Sequence, residues 1–241
     1  KHLIDPMKKL LLTPVLILFC VAVSAQVASK EKQALLDFYV ATNGAEWTQK
    51  WDLNTPVSDW QGVTVTDNHV TGISLLFNNI KGEIPASIGD LSHLQTLELS
   101  FNAISGQLPE TIGNLEVLEV LAFNGNNLSG TLPATLGNLT RLKQLHLSSN
   151  KFEGTVPSTV NALTRLEVFN VFDNHLVGDL PMQLANNSNL KELMIAENNF
   201  TNTDMFSIVL MSNSGVVDLQ KNTIVPPSKS VIAIETSDDD N

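Results

Sequence analysis

Seven asparagines stand at one fixed interval of 24 residues: Asn78, Asn102, Asn126, Asn150, Asn174, Asn198 and Asn222. Apolar residues keep the same register. Five and three positions before each Asn come Ile73/Leu75, Leu97/Leu99, Leu121/Phe123, Leu145/Leu147, Phe169/Val171, Leu193/Ile195 and Val217/Leu219. Two positions after it come Ile80, Ile104, Leu128, Phe152, Leu176, Phe200 and Ile224. A period of this length, held without insertion, demands a stack of similar units, each too small to bury its own apolar face.

Within a unit, segments such as "LQTLELS" and "LKQLHLS" alternate apolar and polar residues, which predicts a short strand with one buried face. The asparagine follows where the chain turns inward. Its amide can donate to and accept from backbone groups of neighbouring turns that no regular ladder satisfies. Next comes Gly-x-(Leu/Ile/Val)-Pro, seen at Gly82 to Pro85, Gly106 to Pro109, Gly130 to Pro133, Gly154 to Pro157 and Gly178 to Pro181. The glycine tolerates positive φ or close approach, and the proline fixes φ. "PASIGDL", "PETIGNL" and "PATLGNL" then read as short helical or 3₁₀ return segments ended by Gly89, Gly113 and Gly137.

The apolar–asparagine frame resembles the leucine-rich repeat family, and the Gly-x-Leu-Pro extension resembles its plant-type, 24-residue subclass. The resemblance implies an α/β solenoid. This is a curved, right-handed superhelix with a parallel β-sheet on the concave face, 3₁₀ or helical return segments and a helical N-terminal cap. It also implies recognition rather than catalysis. About seven repeats would occupy residues 68–224, after a cap at 26–67 and before a C-terminal cap remnant and acidic tail at 225–241.

An open stack needs capped ends. "SKEKQALLDFYVATNG" predicts the cap helix, with Ser29 as N-cap, Ala34, Leu35 and Phe38 on the apolar face, and Gly44 as the stop. All three tryptophans, Trp47, Trp51 and Trp60, and the lone Tyr39 fall in this cap. They read as buried cap packing, with a sugar platform as the competing reading. Plant-type caps carry Cys-x-Trp-x-Gly-Val-x-Cys. Here Trp60, Gly62 and Val63 match, but Ser58 and Val65 stand at the cysteine positions. The segment resembles the cysteine-free caps of bacterial secreted and surface repeat proteins. At the other end the Gly and Pro positions after Asn198 hold Asn202 and Met205. Val231, Ala233 and Ile234 are expected to close the last turn, and Ser237 to Asn241 to form a disordered acidic tail.

Lys8 and Lys9, the apolar run Leu10 to Val23, and the small residues of Val23-Ser24-Ala25 have the layout of a secretory signal, with Met7 as the start. The run is short for a membrane span, so residues 1–25 predict export to the cell surface or beyond, without a transmembrane anchor. Loss of residues 1–25 removes three lysines and one aspartate, taking the formal charge from −11 to −13. The mature chain would hold no cysteine, because the single one is Cys20, so its stability would rest on packing. The acidic balance disfavours nucleic acid and anionic membranes as partners.

Function should lie at polar strand positions that vary between repeats. One column reads Ser74, Glu98, Ala122, His146, Asn170, Met194 and Asp218; the next Leu76, Ser100, Asn124, Ser148, Phe172, Ala196 and Gln220; the third Phe77, Phe101, Gly125, Ser149, Asp173, Glu197 and Lys221. Phe77 and Phe101, beside Leu76, make either an apolar anchor for a partner or packing against the cap loop. Glu98, Asn124, His146, Ser148, Asn170, Phe172, Asp173 and Glu197 complete the candidate face. His146 and Ser148 lack a recognisable orienting group or oxyanion site. Asp173 and Glu197, with Glu192, read as a solvated or partner-facing acidic patch. No His/Cys metal spacing and no phosphate loop appears in the sequence. The expected function is therefore binding of a protein or peptide, with glycan or ice as the alternative ligand and no catalytic residue, metal or cofactor.

Overall fold

The computed structural model describes residues 27–206 together with residues 217–218 and 223–224. The first element of the described residues is helix α1 (Ser29–Ala41). An antiparallel hairpin follows, made of β1 (Val63–Thr66) and β2 (His69–Ser74). Asp67 and Asn68 both take left-handed φ at its tip, the backbone a tight hairpin turn requires.

From β2 onward the chain coils. One strand per turn, β2, β4 (Thr96–Glu98), β6 (Val120–Ala122), β8 (Gln144–His146), β10 (Val168–Asn170) and β12 (Glu192–Met194), builds a parallel sheet. Its register pairs Ile73 with Leu97, then Leu121, Leu145, Phe169 and Leu193. The 24-residue interval is thus the length of one complete turn. A second set of short strands forms another layer: β3 (Lys81–Glu83), β5 (Ala103–Gln107), β7 (Asn127–Thr131), β9 (Lys151–Gly154), β11 (His175–Gly178) and β13 (Asn199–Phe200). These strands hold the Gly column, where Gly82, Gly106, Gly130, Gly154 and Gly178 all take positive φ. They are the strand content that the Gly-x-Leu-Pro reading did not anticipate.

The return segments are 3₁₀: Ala86–Asp90, Glu110–Asn114, Ala134–Asn138 and Ser158–Ala162, each entered from a proline; only the fifth, Met182–Ala185, is α-helical. Gly89, Gly113 and Gly137 do not end these segments as helix stops. They lie inside them, and a Cβ on Gly113 would sit 2.5 Å from the Thr135 backbone oxygen of the next turn. The glycines are there for close approach. Between the same turns Thr111, Thr135 and Thr159 each donate a 2.7 Å hydroxyl bond to a carbonyl one turn back.

The asparagine ladder joins the two layers. Asn126 donates from Nδ2 to the carbonyls of Leu99 (3.0 Å), Phe123 (3.0 Å) and Asn124 (3.3 Å), and its Oδ1 accepts from the Ile104 N–H at 3.0 Å. Asn102, Asn150, Asn174 and Asn198 make the same set, each bonding its own turn and the turn before it. Asn78 instead turns to the cap loop, donating to the Gln49 carbonyl and accepting its N–H. Asn202, at a glycine position, bonds both backbone groups of Leu180. The leucine, isoleucine and phenylalanine columns fill one continuous core from α1 to Phe206.

Two boundaries differ from expectation. Ala28, not Ser29, is the N-cap of α1, with no side-chain cap bond. The helix stops at Ala41 because Asn43, at φ 54°, turns the chain before Gly44 is reached. At the far end Val217–Asp218 pairs antiparallel with Thr223–Ile224 and does not join the parallel sheet, which ends at β12 among the described residues. Asn222, the expected closing turn at Val231 to Ile234, the acidic tail and the signal segment 1–25 lie outside the described residues.

The tryptophans are cap core. Trp47, Trp51 and Trp60 are 1%, 4% and 2% exposed. Each indole N–H is satisfied by a carbonyl, of Thr42, Gln61 and Thr55 respectively. Rings stacked this deeply offer no face to a sugar.

Candidate functional site

The side of the parallel sheet turned away from the core carries the variable residues, because alternate strand positions point to opposite faces. Just after each strand the backbone turns through the left-handed region. Phe77, Phe101, Gly125, Ser149, Asp173 and Glu197 have φ of 51°, 60°, 62°, 51°, 55° and 55°. For a bulky aromatic this costs about 1–2 kcal/mol, and the ladder just behind the turn enforces it.

At the N-terminal end, the rings of Phe77 and Phe101 lie parallel at 6°, with centroids 4.6 Å apart. Phe77 is 69% and Phe101 47% exposed. Phe101 in turn lies over Gly125, whose added Cβ would meet that ring at 2.9 Å. Leu76 is also exposed, so an apolar step stands at this end of the face. Phe172 is exposed three turns further on and belongs to a different part of the surface.

The polar candidates divide. Ser74 donates to Glu98 at 2.9 Å. Ser148 donates both its hydroxyl (2.8 Å) and its N–H (2.9 Å) to Asn124 Oδ1. Asn170 is buried and accepts the Phe172 N–H at 3.1 Å. Ser148 is therefore engaged by Asn124, while His146 faces Gln144 across 3.3 Å; the two do not form a nucleophile–base pair. Burial holds the His146 pKa below the usual histidine value, opposed by the negative charges of Glu192 and Glu98. Asp173 and Glu197 are exposed on adjacent turns.

The sequence reading missed one column at the entry to the strands. Glu119, Lys143, Glu167 and Lys191 recur at the same 24-residue step with alternating sign. Lys143 pairs with Glu119 at 2.7 Å, and Lys191 pairs with Glu167. The Lys191 hydrogen bond lowers the Glu167 pKa. The alternation of charge was the available signal.

No helix among the described residues is long and apolar enough to cross a membrane. No curated protein is similar enough in sequence to count as a relative. Among solved structures, the chain is similar to the PEPR1–AtPEP1 structure at 29% identity and TM-score 0.67, covering 72% of this chain and 25% of that one. It thus spans about a quarter of that protein. It is also similar to the ectodomain of the receptor kinase SOBIR1 from Arabidopsis thaliana, at 27% identity and TM-score 0.63 over 73% of this chain and 96% of that one. A plant ice-binding protein aligns at 28% identity and TM-score 0.65 over 73% of this chain and 58% of the other. The family model for a leucine-rich repeat region matches residues 78–233. Sequence period, strand register and asparagine ladder agree with that match, and the chain belongs to the leucine-rich repeat family.

Proposed function

We propose that this chain is an exported, extracellular recognition module that binds a protein or peptide across the exposed face of its parallel sheet. The observation that carries this is the stacked, solvent-exposed Phe77–Phe101 pair, held in a backbone conformation unfavourable to aromatics. Packing alone does not account for rings this exposed. Paired aromatics of this kind are the usual anchors of interfaces. Asp173 and Glu197 at the other end suit a partner that carries basic groups beyond an apolar anchor. Similarity to a plant peptide hormone receptor, RGFR1 in complex with RGF2, supports the peptide class. Recognition rather than turnover follows from the same reading, and turnover lost in His146→Ala would overturn it.

The test starts from a binding partner captured from host surface extracts by the chain beginning at Gln26. Its Kd is then measured with purified components. Phe77→Ala with Phe101→Ala should weaken binding at least tenfold, the scale of truncated aromatic anchors. Unchanged affinity there, together with loss on changing Asn124, Ser148 and Asn170, would favour the second reading. That reading is a glycan- or ice-binding surface protein using polar positions, and its support is the similarity to a plant ice-binding protein. Inhibition of ice recrystallisation by the purified chain would decide for it.

A further inference from the structure

Away from the sheet face, three residues distant in sequence converge where the cap meets the repeats. Glu31 lies in the first turn of α1 and is 4% exposed. His69 begins β2, and His93 lies one turn further on, just before β4. Glu31 Oε1 stands 2.9 Å from His69 Nδ1 and 3.3 Å from His93 Nδ1. Glu31 Oε2 is fixed by the Val70 N–H at 2.8 Å. The two imidazoles stack with centroids 3.5 Å apart and planes 21° from parallel. Lys30 does not neutralise Glu31, because it pairs with Asp90 at 2.8 Å.

We infer that Glu31, His69 and His93 form a site for a first-row divalent transition-metal ion of the zinc type, clamping the cap helix to the first two turns of the solenoid. One carboxylate and two imidazole nitrogens are a borderline-soft donor set suited to such an ion and not to calcium or magnesium. The three donor atoms all lie within 4.8 Å of one another. A tetrahedral ion with bonds of about 2.0–2.1 Å holds its donors about 3.3–3.4 Å apart, and the separations of Glu31 Oε1 from the two imidazole nitrogens, 2.9 and 3.3 Å, are close to that. Ser92 Oγ, 3.4 Å from His93 Nδ1, is the competing partner of that nitrogen.

Without an ion, a single carboxylate oxygen serves two stacked rings. An ion would serve both nitrogens from one centre once the rings turn out of their stack, since each ring plane must contain the ion it binds. The carboxylate is already oriented by a backbone N–H through its other oxygen, the kind of support metal ligands carry. His69 and His93 also line an open cavity of about 240 Å³ with Asp67, Gln95 and Arg141, so water can complete the coordination. The cap that would otherwise be tied by a disulfide holds Ser58 and Val65 instead of cysteines, and a metal clip would bind the same end of the stack.

The test uses the whole chain stripped with chelator and titrated with Co²⁺ alone, then with Zn²⁺. One Co²⁺ per chain with a visible d–d absorption band is expected, and Zn²⁺ should bleach that band. Zn²⁺ at about a hundredfold over its Kd should raise Tm by about 5–10 °C, reversed by chelator. His93→Gln and His69→Gln, both at partly exposed positions, should keep the metal-free Tm within a few degrees and lose the band and the Zn²⁺-induced shift. A wild type without stoichiometric uptake would make the cluster a metal-free charge bridge and overturn the proposal. So would a band retained in either variant.

Discussion

Replacing Asn126 by alanine isolates what one rung of the ladder contributes. The side chain is 7% exposed, and its loss removes three bonds given by Nδ2 and one accepted by Oδ1. The amide has two N–H groups for three carbonyls, so the effective loss is three bonds. At about 0.5–1.5 kcal/mol net each, and with the Ile104 N–H and the Leu99 and Phe123 carbonyls left in a dry interior, destabilisation of about 2–4 kcal/mol is expected. Asn127→Ala is the matched control, since Asn127 is exposed one residue away and should change stability by no more than about 0.5 kcal/mol. Urea denaturation followed by far-UV circular dichroism reads both. A loss below about 1 kcal/mol in Asn126→Ala, or equal losses in the two variants, would refute the claim that the amide satisfies the inter-turn backbone.

Leu145→Ala or Leu147→Ala, both fully buried, should cost about 2–5 kcal/mol by emptying the shared core; unchanged thermal melting in both would contradict the register. Gly113→Ala should destabilise more than Gly130→Ala, because its new Cβ runs into the Thr135 backbone, whereas at Gly130 the cost is the left-handed φ of 73°, about 1–2 kcal/mol, beside the movable Gln107 side chain; equal midpoints in urea would refute this. His146 has a folded-state pKa below its unfolded value, so its contribution is complete above the ordinary histidine range of about 6.5 and is lost as pH falls through the lowered value. An NMR titration of the ring with a midpoint above that range would reverse the sign.

Legibility in the sequence followed distance along the chain. A turn of 24 residues repeats its core positions locally, so Leu97, Asn102 and Ile104 declare their places without knowledge of the fold. The second strand layer was hidden because its strands are short and glycine-interrupted, as in Lys81-Gly82-Glu83. Gly113 was misread because a glycine near a helix end looks the same whether it supplies positive φ or room for a neighbour; only the position of Thr135 decides. The Phe77–Phe101 stack was partly visible as two aromatics one period apart. Of the Glu31, His69 and His93 cluster only the two histidines, one period apart, were visible; Glu31, 38 and 62 residues from them, matches no ligand spacing. The cluster arises where a helix outside the repeat meets the repeat.

The packing of the cap has a consequence for measurement. Every tryptophan of the chain, Trp47, Trp51 and Trp60, lies in that one cluster before the first repeat, with stacked and edge-on contacts of 4.8 and 5.0 Å. Fluorescence excited at tryptophan wavelengths therefore reports the N-terminal cap alone, whereas far-UV circular dichroism is dominated by the two strand layers. In a stack where each turn touches only its neighbours, these two signals are independent optical channels on separate ends of the molecule. If they diverge during denaturation, the solenoid frays from one end. If they coincide, its turns unfold as a single unit.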